Sequence, residues 1–186
     1  MRERPQALIE SAVRRYGADE VVDWAAGLLA GADPDDAGPD DAGLDGAGLD
    51  GAGKDGVRDI RLLGGSPGWD AYWFRVWGAR ALLYVWDTTA APAVVSGLSD
   101  DHWRVREMCA KVCRLRDLPE AADELVKLMA DGTERVRIAA AKAIGDTCEA
   151  DAAGPLLAGE FGSLREAAAA AQALDRMEQR LDRRLR

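Results

Sequence analysis

Residues 131–145 read DGTERVRIAAAKAIG, and the chain returns to this pattern at a fixed interval. Arg137 has counterparts in Arg106 and Arg75, each 31 residues from the next and each preceded by a valine or a phenylalanine. The same offset aligns alanines and aliphatic residues further along each copy. Three copies in one phase indicate a repeat protein, whose units stack because none can bury its apolar face alone.

Each copy contains two amphipathic segments separated by a break, which predicts a helical hairpin. The hairpins are expected at about 69–98, 100–130 and 131–159, and a final helix at 163–184 has no partner after it. Residues 1–31 carry two further helical patterns and are expected to form an N-terminal helix pair. The predicted fold is therefore an all-α solenoid of three tandem hairpins, with a C-terminal capping helix and an N-terminal helix pair.

The N-terminal pair is separated from the repeats by a low-complexity stretch at residues 32–56. This stretch holds eight aspartates and one lysine among glycines and alanines, so it carries −7 of the net charge of −9. Such a composition cannot bury enough apolar surface to offset the entropy lost on ordering. We therefore predict a flexible linker, followed by a repeat domain at 57–186 that is close to neutral.

The repeated motif D-x-x-x-x-V-R-x-A-A-A-x-A-[LI]-G resembles the short HEAT-like repeats of bacterial proteins and of phycobilisome-lyase relatives. It is nearly complete in 131–145, recognisable in 100–114 and degenerate in 69–83. The resemblance implies a ladder in which the repeated aspartates and arginines form hydrogen bonds between units. The residues at those positions are Arg75, Asp100, Arg106, Asp131 and Arg137.

A helical wheel gives the second and third units one apolar stripe and one charged outer face, on which Glu107 and Gly145 fall. The first unit differs, because its outer face is apolar and aromatic. We predict that this face binds a partner, since exposed patches rich in tryptophan and tyrosine mark interaction sites. Its members are Trp69, Tyr72, Trp73, Val76, Leu83 and, one repeat away, Trp103. The alternative is that the N-terminal pair packs over this face as a cap, and both can hold together.

The three cysteines invite comparison with a metal site, because Cys109 and Cys113 are one turn apart, near His102 and before Cys148. The counterparts of the first two in the other repeats are small or aliphatic residues typical of a core. We therefore expect buried structural thiols, no metal and no cofactor. Unpaired thiols and the absence of a secretory signal favour a cytoplasmic protein, and no apolar run is long enough to span a membrane.

Three function classes remain open. The leading prediction is a non-enzymatic protein–protein interaction scaffold with an unidentified protein partner, because no nucleophile elbow, P-loop or zinc-protease motif is present. A DNA alkylation-repair glycosylase built of similar repeats is the first alternative, but the sequence shows no basic face of the kind that nucleic acid requires. A bilin-lyase relative is the second alternative, and it follows from the resemblance of the repeats alone.

Overall fold

A computed structural model describes residues 4–33, 58–66 and 68–186, and within these ranges it contains helices and no strand. The all-α prediction is confirmed. Most of the predicted linker, from residue 34 to residue 56, lies outside the described residues. No helix of the described ranges is both long enough and apolar enough to cross a bilayer.

The nine α-helices of the described residues follow the predicted hairpins closely. Their bounds are α1 Pro5–Tyr16, α2 Ala18–Leu29, α3 Ala71–Ala81, α4 Ala91–Gly97, α5 Trp103–Arg116, α6 Ala122–Leu128, α7 Glu134–Thr147, α8 Gly154–Leu157 and α9 Leu164–Leu181. Short 3-10 turns precede α4, α6 and α8, and a further one at Ile60–Leu63 precedes α3. The second helix of each unit is thus much shorter than the first.

Local sequence explains where the helices begin and end. Gly17 takes a φ of 92° between α1 and α2, a conformation that is easy only for glycine. At the start of the second and third units, Asp100 and Asp131 each accept a hydrogen bond from the backbone N–H two residues on, at 2.8 and 2.7 Å. These aspartate turns reverse the chain between one unit and the next.

The long first helices form one continuous layer. Helix α3 packs against α5, α5 against α7 and α7 against α9. The short second helices α4, α6 and α8 form the other layer, and each packs against the first helix of the following unit. The core therefore runs along the whole stack between the two layers, which is the arrangement expected of a solenoid.

Helix α2 closes the N-terminal end of this stack by packing against both α3 and α4. The approach is close, because a Cβ at Gly78 would overlap the backbone carbonyl of Ala25. Trp24 and Leu28 of α2 are buried at 3 % and 1 % exposure. The helix pair thus completes the apolar core of the first repeat from its open end.

Helix α9 closes the opposite end, where it packs on α7. Gly145 makes this contact possible, since a Cβ there would lie 2.5 Å from the carbonyl oxygen of Ala173. The wheel placed Gly145 on the outer face, and that prediction is wrong. The wheel assumes one buried stripe, whereas each first helix of a stack contacts the first helices on both sides.

Candidate functional site

The aromatic side chains of the first repeat form one contiguous cluster, which we call the aromatic face. Its members are Trp69, Tyr72, Trp73, Trp77, His102 and Trp103. The Trp73 and Trp77 rings stack at 5.9 Å, and the Tyr72 ring stacks on His102 at 3.6 Å between ring centroids. Aromatic residues one and four positions apart on α3 thus reach the start of α5 through His102.

The aromatic face is only partly covered. Trp69 is 43 % exposed, whereas Tyr72, Trp73 and Trp103 are half-buried and Trp77 is buried. The sequence placed two other residues, Val76 and Leu83, on this surface. Val76 is 5 % exposed and Leu83 is half-buried, so Val76 contributes packing rather than open surface.

The N-terminal segments cover one edge of the aromatic face and leave a cavity of about 590 Å³ beside it. Pro5 and Leu8 of α1 and the glycines after the 3-10 turn form one wall of this cavity. The other wall consists of Trp69, Trp73 and Trp77. We call this space the aromatic cavity. Its size lies within the range of small-molecule sites, about 300–1,000 Å³.

Two arginines, Arg61 and Arg80, reach into the aromatic cavity. Arg80 is half-buried and forms no ion pair among the described residues. Burial lowers the pKa of its guanidinium, because desolvation disfavours the charged form. A half-buried cation without a counter-ion is an incomplete arrangement that an anionic group of a ligand would complete.

Arginines also connect the aromatic face to the rest of the stack. The Arg104 guanidinium lies 5.0 Å from the ring of Trp73 and 4.5 Å from that of Trp103. Arg135, one repeat further, lies 5.4 Å from the Trp103 ring. Cation–π contacts of this kind hold the Arg104 and Arg135 side chains against the outer surface of α3, α5 and α7.

Comparison with known proteins identifies the type of repeat. The family model for HEAT repeats matches residues 70–145 and 91–175, which together make up more than half of the chain. The chain belongs to the HEAT repeat family. No curated protein matches the sequence.

Among solved structures, the HEAT repeat fold is similar to one described as the complex of CpcE and CpcF of phycocyanin lyase from Nostoc sp. PCC7120. The TM-score is 0.54, the sequence identity is 20 %, and the match covers 96 % of this chain. The chain spans 66 % of the length of the matched chain in that complex. At this identity the likeness shows the fold, and the resemblance to phycobilisome-lyase relatives is confirmed at that level.

The HEAT repeats are joined by the arginine and aspartate side chains that the motif implied. Arg75 Nε donates to Asp100 at 2.6 Å and Arg106 Nε donates to Asp131 at 2.7 Å. Arg106 also donates to the backbone carbonyl of Asp100 at 2.8 Å. Arg106 therefore bridges the turn before its own helix and the turn before the next one, whereas Arg75 bonds only to the later turn.

The last rung of the ladder uses a residue that the motif does not contain. Arg137 pairs with Glu166 of α9, which is buried and also accepts the Gly162 N–H at 2.8 Å. The hydrogen bond from Arg137 lowers the pKa of Glu166 although burial opposes ionisation. In the 31-residue register the aspartate would fall at Gly162, so a glutamate one helical turn later takes over its role.

The three thiols are buried and free. Burial raises the pKa of Cys113 to about 12 and raises that of Cys109 well above its usual range. A thiol in this state is a poor nucleophile near neutral pH, because the reactive species is the thiolate. Within the described residues, no three histidine, cysteine, aspartate or glutamate side chains are grouped closely enough to hold a metal ion.

Proposed function

We propose that this HEAT repeat chain is a protein of the phycobilin-lyase type, which binds a bilin in the aromatic cavity and works with a protein partner. The observation that carries the proposal is Arg80, which has no ion-pair partner in the described ranges and lies beside the stacked rings of Trp73 and Trp77. The fold likeness to a phycocyanin lyase complex supports it. That neighbour consists of two named components, which supports a partner for this chain as well.

The chemistry of a bilin matches the two kinds of side chain in the cavity. A bilin is an open-chain tetrapyrrole with a flat conjugated body and two carboxylate side chains. Trp69 and Trp73 offer ring faces for stacking on such a body. Arg61 and Arg80 offer guanidinium groups, which pair with carboxylates in a two-pronged geometry.

The partner would meet the exposed part of the aromatic face. Trp69 stands 43 % exposed at the rim of the cavity, and Trp103 lies half-buried further along. Tryptophan anchors dominate the binding energy of many protein interfaces. A partner seated there would also cover the mouth of the aromatic cavity and shield the bilin from water.

The test is titration of the full chain with biliverdin, followed by visible circular dichroism and quenching of tryptophan fluorescence. We expect an induced dichroism band and saturable quenching. Arg80→Gln should weaken binding at least tenfold, since a charged hydrogen bond is worth about 1.5–3 kcal/mol. The matched control is Arg14→Gln, because Arg14 is exposed on α1 and does not line the aromatic cavity. Absence of the band, or equal binding by both variants, would contradict the proposal.

A non-enzymatic protein–protein interaction scaffold is the second candidate function. The exposure of Trp69 favours it, since a ligand pocket alone does not require an exposed ring. A scaffold would bind its partner equally well with and without a bilin. It would lose the partner on Trp69→Ala and keep it on Arg80→Gln, whereas a bilin-dependent protein would be impaired by both.

A further inference from the structure

A second cavity of about 480 Å³ lies along α5, α7 and the start of α9, away from the aromatic cavity. Its lining carries five cations and one carboxylate. They are Lys111, Arg114, Arg135, Lys142, Arg165 and Glu107. Ile138 and Ala139 provide an apolar floor. We call this space the cationic cavity.

Part of the positive charge is neutralised within the protein. Glu107 is 7 % exposed, and its Oε1 accepts from Lys111 Nζ at 2.8 Å and from Arg135 Nη2 at 3.2 Å. The sequence placed Glu107 on the open outer face, and that prediction is wrong because α7 covers it through Arg135. Arg114 pairs with Asp146, which also accepts from Arg176 at 3.1 Å. Two carboxylates thus pair with three of the five lining cations and with Arg176, which lies outside the lining.

The remaining two cations of the lining have no counter-ion among the residues that the structure describes. Lys142 and Arg165 form no ion pair within the described part of the chain. The cavity therefore holds a net positive charge in a protein whose overall charge is −9. Cations that converge on one concave space repel one another, and an anion bound between them removes that repulsion.

The repeat register builds this cluster. Arg104 and Arg135 are 31 residues apart, and so are Lys111 and Lys142. The ordinary interpretation of such charges is a solvated helix face. Two features go beyond it: the side chains line a cavity rather than a ridge, and the cavity has an apolar floor with the Trp103 ring beside Arg135.

We propose that the cationic cavity is a binding site for a small molecule with a diphosphate or triphosphate group. Several arginines and lysines around one space suit a compact anion with multiple charges, because each guanidinium fork takes two oxygens and each ammonium adds a further donor. A monocarboxylate would satisfy only one of them. The volume accommodates a ligand of nucleotide size.

The test is isothermal titration calorimetry of the full chain with inorganic pyrophosphate and, in parallel, with citrate and a single-stranded oligothymidylate. The variant Lys142→Gln/Arg165→Gln removes the two lining cations for which the described part of the chain offers no counter-ion. The matched control Arg183→Gln/Arg184→Gln removes two cations from the other end of α9, about 25 Å away. All variants should keep the wild-type circular dichroism melting curve, since none of these side chains is buried.

We expect saturable pyrophosphate binding that weakens at least tenfold in Lys142→Gln/Arg165→Gln and less than twofold in the control. Binding should also weaken as salt is raised, because the charges are partly exposed. Equal loss in the variant and the control would overturn the proposal, and so would no binding at all. Citrate binding as tight as that of pyrophosphate would overturn the phosphate assignment. Oligothymidylate binding that is tighter and equally sensitive to the variant would replace it with a nucleic-acid surface.

Discussion

The aromatic cavity and the cationic cavity occupy the same place in two different repeats. Trp73, Trp77 and Arg80 line the first, and the residues 62 positions later are Arg135, Ala139 and Lys142, which line the second. The backbone of α3 and that of α7 therefore place the same three positions beside a cavity. The first two side chains are aromatic in α3 and cationic or small in α7, whereas the third is a cation in both repeats.

This difference shows how one scaffold can carry two kinds of site. The ladder side of each repeat keeps its residue types, because Arg75 and Arg106 must both reach the next aspartate. The outer side is free to vary, since its neighbours are solvent or a ligand. Function in such a fold follows from the residues placed on the repeating frame, not from the frame itself.

The largest expected effect comes from removing a buried ring from the wall of the aromatic cavity. Trp77→Ala removes a ring that is 3 % exposed and packs against Trp69, Trp73 and Phe74. We expect the free energy of unfolding to fall by about 3–5 kcal/mol, the usual loss for a buried tryptophan. Urea denaturation measures this. The half-buried Trp103 is the control, and Trp103→Ala should lose about 1 kcal/mol or less. Equal losses would mean that the aromatic face is core throughout.

The next effect concerns the two ends of the stack, which both depend on a glycine. Gly145→Ala places a Cβ 2.5–2.8 Å from the Ala173 backbone, and Gly78→Ala places one against the carbonyl of Ala25. Backbone atoms cannot rotate away, so we expect each change to lower the free energy of unfolding by about 1–3 kcal/mol. Gly154→Ala is the control, because nothing lies within 4 Å of its Cβ position. A thermal melt unaffected by Gly145→Ala would show that α9 docks loosely.

The fold could be predicted from the sequence because stacking imposes a period that survives in the residue types. The hairpins and the positions of Arg75, Arg106 and Arg137 all follow from the 31-residue register. The register ends before α9, so the glutamate that completes the ladder could not be found in the same way. The sequence signal for Glu166 is local instead, since Ser163 and Glu166 have the spacing of a helix-capping pair.

The candidate sites were less predictable. The aromatic residues could be found because tryptophans on an outer face contradict the pattern of the other repeats. Arg80 and Lys142 were missed, although they share a column with Lys111. A charge in a helical column is equally compatible with a solvated ridge and with a cavity, and only the packing of neighbouring helices decides between them.

The arginine–carboxylate ladder should make the free energy of unfolding fall as the pH is lowered into the acid range. Arg106 and Thr133 lower the pKa of Asp131 although its burial opposes this, and Arg137 lowers that of Glu166. A carboxylate with a lowered folded-state pKa stabilises the protein above its unfolded pKa, and this stabilisation is lost as the pH falls through the folded value. Arg137→Gln should therefore lower the free energy of unfolding by about 1–2 kcal/mol at neutral pH, and the difference from wild type should shrink below about pH 4.

Urea denaturation at several pH values measures this dependence. The control is Arg165→Gln, because Arg165 is exposed and forms no ion pair among the described residues. It should follow the wild-type curve across the acid range. A constant gap between wild type and Arg137→Gln at all pH values would show that Arg137 acts through packing rather than through the charge of Glu166.

The smallest expected effect compares Arg80 of the aromatic cavity with Lys142 of the cationic cavity, neither of which forms an ion pair with a described residue. Arg80 is half-buried with a lowered pKa, so a neutral side chain of similar length relieves desolvation. Arg80→Met should raise the free energy of unfolding by about 0.5–1 kcal/mol, a gain reduced by the remaining solvent contact. Lys142→Met should change it by less than about 0.5 kcal/mol. Arg80→Met should also weaken biliverdin binding, as Arg80→Gln should. A protein that becomes more stable while it loses its ligand would indicate that Arg80 serves binding rather than folding. A loss of stability instead would make Arg80 part of the structural support of α3.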